Sequence, residues 1–231
     1  MESSYFPLTF VSLVAILLVI AELPISIYTT IFHFKHRKKL ESFSLFGVLS
    51  FLSIVNLLVS NFAKPKGVWD SILGDRLTYH FTYVEFFVLF YVLIGLLENN
   101  RLKLTLQIVL EISLLFAAVD TATGSEYISN YIEYFVLCFN CVLLATCFVN
   151  FSQIILSNEI INLNKSYKFR FTTTVFILYS VSIPLYYFSN SLRRSYVSND
   201  AKLLVEMSIS FFYCLLYILL TNASKCKITH P

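Results

Sequence analysis

Charge is what this chain has least of. Asp, Glu, Lys and Arg make up 13% of its 231 residues, about half the ~25% that a soluble domain carries. That leaves too little polar surface to clothe a water-exposed body of this size, and the soluble globular classes drop out. Glycine and proline number 5 each while aromatics reach 17%, which excludes collagen-like and disordered chains. Of the 5 cysteines, Cys138, Cys141, Cys147, Cys214 and Cys226, none falls in a connection expected on the outer side, so no external disulfide framework is available. Catalytic signatures are missing too. There is no His-Glu-x-x-His zinc pair, no Gly-x-Ser-x-Gly elbow, no phosphate-cradling glycine loop and no Thr-Val-Gly-Tyr-Gly filter. No lysine lies inside the last apolar segment, as a retinal protein would need.

What the chain has in abundance is apolar length. Hydrophobic residues reach 57% and mean hydropathy is +0.72. A spanning helix takes about 20 mainly apolar residues. Seven segments fit: Tyr5–Phe32, Ser42–Phe62, Leu77–Leu97, Leu104–Asp120, Tyr127–Leu156, Phe171–Asn190 and Leu203–Thr221. Runs such as Leu13-Val14-Ala15-Ile16-Leu17-Leu18 lack the in/out alternation of barrel strands. The expected fold is therefore all-α, a seven-transmembrane helix bundle forming one domain over residues 1–231. The fourth segment is the shortest and carries Glu111 in its middle.

Orientation follows from Lys and Arg in the short connections. With the N-terminus outside, Lys35, Arg37, Lys38, Lys39, Arg101, Lys103, Lys165, Lys168, Arg170, Lys225 and Lys227 face the cytoplasm, eleven of the 17. The N-terminus is read as outside and the C-terminus as cytoplasmic, in a bacterial inner membrane. His33 and His36 sit among this basic run and are read with it, as a headgroup-binding segment. Cys226, just inside the membrane, is expected to be an exposed thiol or an acylation site. No basic face interleaved with aromatics points to nucleic acid.

Ionisable groups at membrane depth cost about 2.5–3.5 kcal/mol each on insertion scales, so each asks for a partner or a task. Two helix openings share a pattern: Tyr79-His80-Phe81-Thr82-Tyr83-Val84-Glu85-Phe86-Phe87, and Tyr127-Ile128-Ser129-Asn130-Tyr131-Ile132-Glu133-Tyr134-Phe135. Both read Tyr-x-x-x-Tyr-x-Glu-aromatic-Phe and run from outside to inside, so Glu85 and Glu133 are expected at similar depth. His80 and Tyr83 share a face of the third segment while Glu85 lies on another, which asks for protein around that helix. Ser50, Ser53, Asn56 and Ser60 form a stripe of small polar residues on the second segment, and Gln107 and Glu111 share a face of the fourth. Two readings stand. These groups either line a polar cavity open to the outside or act as interhelical hydrogen-bonding groups. Glu22 two residues before Pro24, and Pro184 in the sixth segment, mark two further places where a freed backbone carbonyl can help build a site.

Tyr79-His80-x-x-Tyr83-x-Glu85-Phe86, together with Phe139-Asn140 and with Tyr179-Ser180 ahead of Pro184, resembles the signature of small seven-helix integral membrane proteins common in Bacteroidota. The resemblance implies the same bundle over nearly the whole chain. It brings no established activity, and some members resemble the membrane portions of sensor kinases.

The functional expectation is a non-enzymatic sensor or receptor-like protein. His80, Glu85 and Glu133 would recognise a small molecule or proton, with Tyr79, Tyr83, Tyr131 and Asn140 lining the pocket. No catalytic residue, metal ligand or cofactor is assigned. The expected partners are the lipid bilayer, that ligand and a separate cytoplasmic signalling protein. A small proton-coupled transporter or permease is the alternative, and a membrane-embedded enzyme acting on lipid the third reading.

Overall fold

The computed structural model describes the backbone of residues 6–62, 73–123, 129–157, 163, 165–194 and 199–229. Side chains are described for 17–18, 20–58, 81, 83–116, 137–157, 163, 165–181, 184, 208 and 210–229. Within these residues the chain is helical, with no strand. The order is α1 (Phe6–Lys35), the short α2 (Arg37–Leu40), a 3-10 turn (Glu41–Ser44), α3 (Leu45–Phe62), α4 (Leu73–Gly95), α5 (Asn100–Thr123), α6 (Ser129–Leu156), α7 (Tyr167–Arg194) and α8 (Asn199–Thr229). Within the described residues each of the seven apolar segments overlaps one long helix, the second opening in the 3-10 turn; Tyr5, Tyr127 and Ile128 lie outside the described residues. The fourth is longer than its hydropathy suggests because Asn99 caps it: the Asn99 Oδ1 accepts from Arg101 N at 3.0 Å and Leu102 N at 3.2 Å. Among the described residues, Arg37–Leu58 and Leu137–Leu156 are by length and composition apolar enough to cross a membrane.

The interior is apolar with polar side chains set into it, and much of the exterior is apolar as well. Ile31, Ile112, Leu115, Phe148 and Ile177 stand exposed, whereas Ser26, His33, Ser50, Thr172 and Ser224 are buried. Side-chain packing and interhelical hydrogen bonds both tie the helices together. Packing centres on α4, which touches α3, α5 and α6 and buries Phe86, Leu89, Phe90 and Leu93. Phe86 stacks on Phe139 of α6 with centroids 4.1 Å apart, and Phe46 of α3 stacks on Phe171 of α7 at 5.3 Å. Such pairs contribute about 0.5–1.5 kcal/mol each beyond area burial.

The hydrogen bonds gather along α1. Thr29 Oγ1 meets Thr221 Oγ1 of α8 at 3.1 Å, and Thr30 Oγ1 meets Ser50 Oγ of α3 at 2.8 Å. His33 Nδ1 lies 2.7 Å from the Thr29 carbonyl oxygen and Nε2 lies 2.9 Å from Ser224 Oγ. A carbonyl can only accept, so Nδ1 carries the proton and, in the neutral ring, Nε2 accepts from the Ser224 hydroxyl. His33 thus departs from the headgroup role expected for it: it is buried between α1, α3 and α8, because its helix face turns away from that of Lys35, where α1 ends. Gly47 makes the approach of α3 possible, since a Cβ there would lie 3.0 Å from His33 Cβ.

One end of the bundle is tied together by side chains. Lys227 Nζ, at the end of α8, donates to Leu40 O at 3.3 Å and to Glu41 Oε2 at 3.0 Å, and lies 5.0 Å from the Phe43 ring centroid. It braces Glu41, whose φ of 51° is a backbone region that costs a non-glycine residue about 1–3 kcal/mol. Cys226 Sγ donates to Lys165 O at 2.9 Å, so the thiol expected to be exposed is buried and engaged. Lys168 Nζ reaches Glu98 Oε1 at 2.9 Å, and Glu98 N donates to Gln153 Oε1 at 3.1 Å. The ends of α4, α6 and α8 and the starts of α3, α5 and α7 therefore share one face, the one that carries the eleven Lys and Arg residues of the expected inner side.

Candidate functional site

From Val84 onward α4 is apolar except for Glu85 and Tyr91. Glu85 is buried, and both of its carboxyl oxygens are taken. Tyr179 of α7 donates its hydroxyl to Oε1 at 2.5 Å, and Tyr213 of α8 donates to Oε2 at 3.1 Å. One carboxyl group on the central helix thereby joins two helices that are its neighbours in space but far off in sequence. A carboxylate withdrawn from water needs such donors, because an unmatched buried polar group costs several kcal/mol.

A second carboxyl lies close by. Glu22 of α1 is buried and accepts from Ser53 Oγ of α3 at 3.4 Å, with Ser210 of α8 also within reach. Tyr213 and Tyr217 of α8 stand near both glutamates. The Tyr217 ring is fully buried, with its hydroxyl beside Ser53 and no well-formed hydrogen bond. Tyr213 stacks on Tyr217 with centroids 6.3 Å apart. Five helices, α1, α3, α4, α7 and α8, thus contribute to one interior polar cluster of two carboxyls, three phenols and two serines.

The expected site residues divide as follows. Glu85 stands at the centre of the cluster. Tyr83 is buried on a neighbouring face of α4, edge-on to Phe139 at 6.3 Å, and Asn140 is buried on α6. Tyr79 and His80 lie on α4, and Tyr131 and Glu133 on α6, with side chains outside the described residues. The groups that answer Glu85 come from α7 and α8, and sequence reading had not assigned Tyr213 or Tyr217 to the site. A signal for them existed: Ser210, Tyr213 and Tyr217 recur at spacings of three and four, one face of a helix otherwise rich in Phe and Leu. Glu22 and the Ser50/Ser53 stripe fall where helix spacing places them, and they serve as interhelical hydrogen-bonding groups. Gln107 is half-buried and Glu111 is exposed on the outer side of α5, so Glu111 stands apart from this cluster. Asn150, unassigned in the sequence, donates to Leu93 O of α4 at 3.3 Å.

Chemically the cluster can hold, share or pass a proton between carboxyl and phenol oxygens, and it can exchange its internal hydrogen bonds for those of a small polar ligand. Among the described residues, no group of three or more His, Cys, Asp or Glu side chains is placed to hold a metal ion. No family model, no curated protein and no solved structure matches the chain.

Proposed function

We propose that the chain is a seven-span protein of a bacterial inner membrane, N-terminus outside and C-terminus cytoplasmic, related to the small seven-helix proteins its third-helix motif resembles. Its role is that of a non-enzymatic sensor. The observation that carries this reading is Glu85, a buried carboxyl whose two oxygens are held by tyrosines of two different helices. A proton or small polar ligand arriving from the outer side, past Tyr79, His80, Tyr131 and Glu133, competes for those tyrosines. Losing them frees α7 and α8 from α4. Because α8 is pinned at its basic end to Leu40, Glu41 and Lys165, a shift of α8 reaches the cytoplasmic loops, where a separate signalling partner reads it. Two-state devices of this kind need only a ligand that binds the two arrangements unequally.

The apolar exterior, the polar side chains buried within the core and the gathering of Lys and Arg on one face support the seven crossings. The neighbouring Glu22 favours one other reading, a proton-coupled permease in which the two carboxyls and the tyrosines between them form a relay. The test uses Glu85→Gln and Glu133→Gln in a strain deleted for the parent gene, with flux measured in parallel in proteoliposomes. A sensor loses complementation and moves no solute in either form, whereas a permease loses flux. Complementation by both variants at parental level, with normal folding and localisation, overturns the site and leaves only a hydrogen-bonded scaffold.

A further inference from the structure

Along the α1–α8 contact, beside the Thr29–Thr221 pair, lies a groove of about 290 Å³. Its lining changes character along its length. At mid-helix it is walled by Pro24 and Ile25 of α1 and Ile218 of α8; toward the basic end it is walled by Tyr28, Asn222 and Lys225. Ile218 and Lys225 are seven residues apart, about 10 Å along the helix, which separates an apolar floor from a cationic rim. Lys225 is exposed yet held in place, its Nζ lying 5.4 Å from the Tyr28 ring centroid and 5.9 Å from that of Phe32. Thr29 and Thr221 at the back satisfy one another, so the polar groups the groove offers an occupant are the Asn222 amide, the Lys225 ammonium and the hydroxyl of exposed Tyr28. Lys35, Arg37, Lys38 and Lys39 are exposed at the same end and add positive potential without entering the groove.

We propose that this groove seats one anionic phospholipid, an acyl chain against Pro24, Ile25 and Ile218 and the headgroup phosphate on Lys225 and Asn222. The gradient argues for a lipid over a free anion or a partner helix: a soluble phosphate has no use for the apolar half, and an apolar helix has none for the cation. The inference rests on the chain spanning the bilayer, and not on the sensor role of Glu85.

The test is native mass spectrometry of the full chain, released from detergent after titration with phosphatidylglycerol or phosphatidylcholine of identical acyl chains. The parent should retain one phosphatidylglycerol in preference to phosphatidylcholine. Lys225→Gln should weaken that retention about fivefold, the share of one lysine at an anionic membrane surface, while Lys103→Gln, the same charge change on the same face, should leave it unaltered. Ile218→Trp, which fills the apolar half, should displace both lipids. Equal retention of the two lipids by the parent, an equal loss in Lys103→Gln, or competition by glycerol phosphate at the same concentration each overturns the seat. Extraction of the chain from native membranes by alkaline carbonate would overturn the spanning reading itself. A chain that resists extraction but shows no lipid preference loses only the seat.

Discussion

Replacing Tyr179 by Phe removes one hydroxyl from the Glu85 cluster and little else. The ring stays packed edge-on to Phe212 at 6.1 Å, while Glu85 Oε1 loses a donor at 2.5 Å. Hydrogen bonds between membrane helices average about 0.6 kcal/mol and reach about 1.7 kcal/mol in double-mutant cycles. A short bond to a buried carboxyl belongs at the upper end, so Tyr179→Phe should cost about 1.5 kcal/mol. Tyr213→Phe, which gives up a 3.1 Å bond, should cost about 0.6 kcal/mol on the same scale. The decisive quantity is the coupling. In a Glu85→Leu background the Tyr179 hydroxyl has no carboxyl to meet, so Tyr179→Phe should cost nearly nothing there. Unfolding by dodecyl sulfate in mixed micelles, followed by circular dichroism, yields all four corners of the cycle. A Tyr179→Phe penalty of the same size with and without Glu85 would refute the assignment of that bond as a structural tie between α4 and α7.

Four further outcomes follow from the geometry. Gly47→Ala should destabilise by about 1–3 kcal/mol, the usual cost of overpacking, because the His33 Cβ it meets at 3.0 Å belongs to a side chain held at both nitrogens; an unchanged unfolding midpoint would show that α3 can slide. Ser224→Ala should cost about 0.6–1.7 kcal/mol by leaving His33 Nε2 without its donor, whereas Thr229→Ala on an exposed turn of the same helix should fall within about 0.5 kcal/mol of parent. Glu111→Leu should raise the yield of inserted protein, since it removes an outward-facing carboxyl worth about 2.5–3.5 kcal/mol on insertion scales; a fall in yield would mean that this face is covered. Cys226 should react with a water-soluble maleimide only after unfolding, because its Sγ is engaged by the Lys165 carbonyl, and prompt labelling of the native chain would overturn that contact.

Much of this architecture was legible in the sequence, because hydropathy and Lys/Arg placement act one residue at a time. Seven apolar runs became seven long helices, and the basic connections met at one end. Glu85 could be singled out by the same logic, as an ionisable group where ionisation is costly. What periodicity could not supply was its answer. The repeated opening motif drew attention to Glu133 on α6, but the donors are Tyr179 and Tyr213, brought in by the placement of α7 and α8 against α4. His33 misled for a related reason. Its neighbours in the sequence include cations, while its neighbours in space are Thr29 and Ser224; Lys35 lies about 200° round the helix from it, and α1 ends there before Arg37.

The pairing of α1 with α8 has a consequence for how the protein is made. Thr29 and Thr221 are 192 residues apart, and His33 and Ser224 are 191 apart. In the spanning arrangement proposed above, the earliest helix waits in the bilayer with His33 Nε2 and Thr29 Oγ1 unanswered until α8 is delivered, whereas its Glu22 meets Ser53 as soon as α3 follows. A quality-control protease that recognises exposed intramembrane polar groups would therefore have its longest window on α1, and ribosomal stalling anywhere before α8 should mark the nascent chain for destruction.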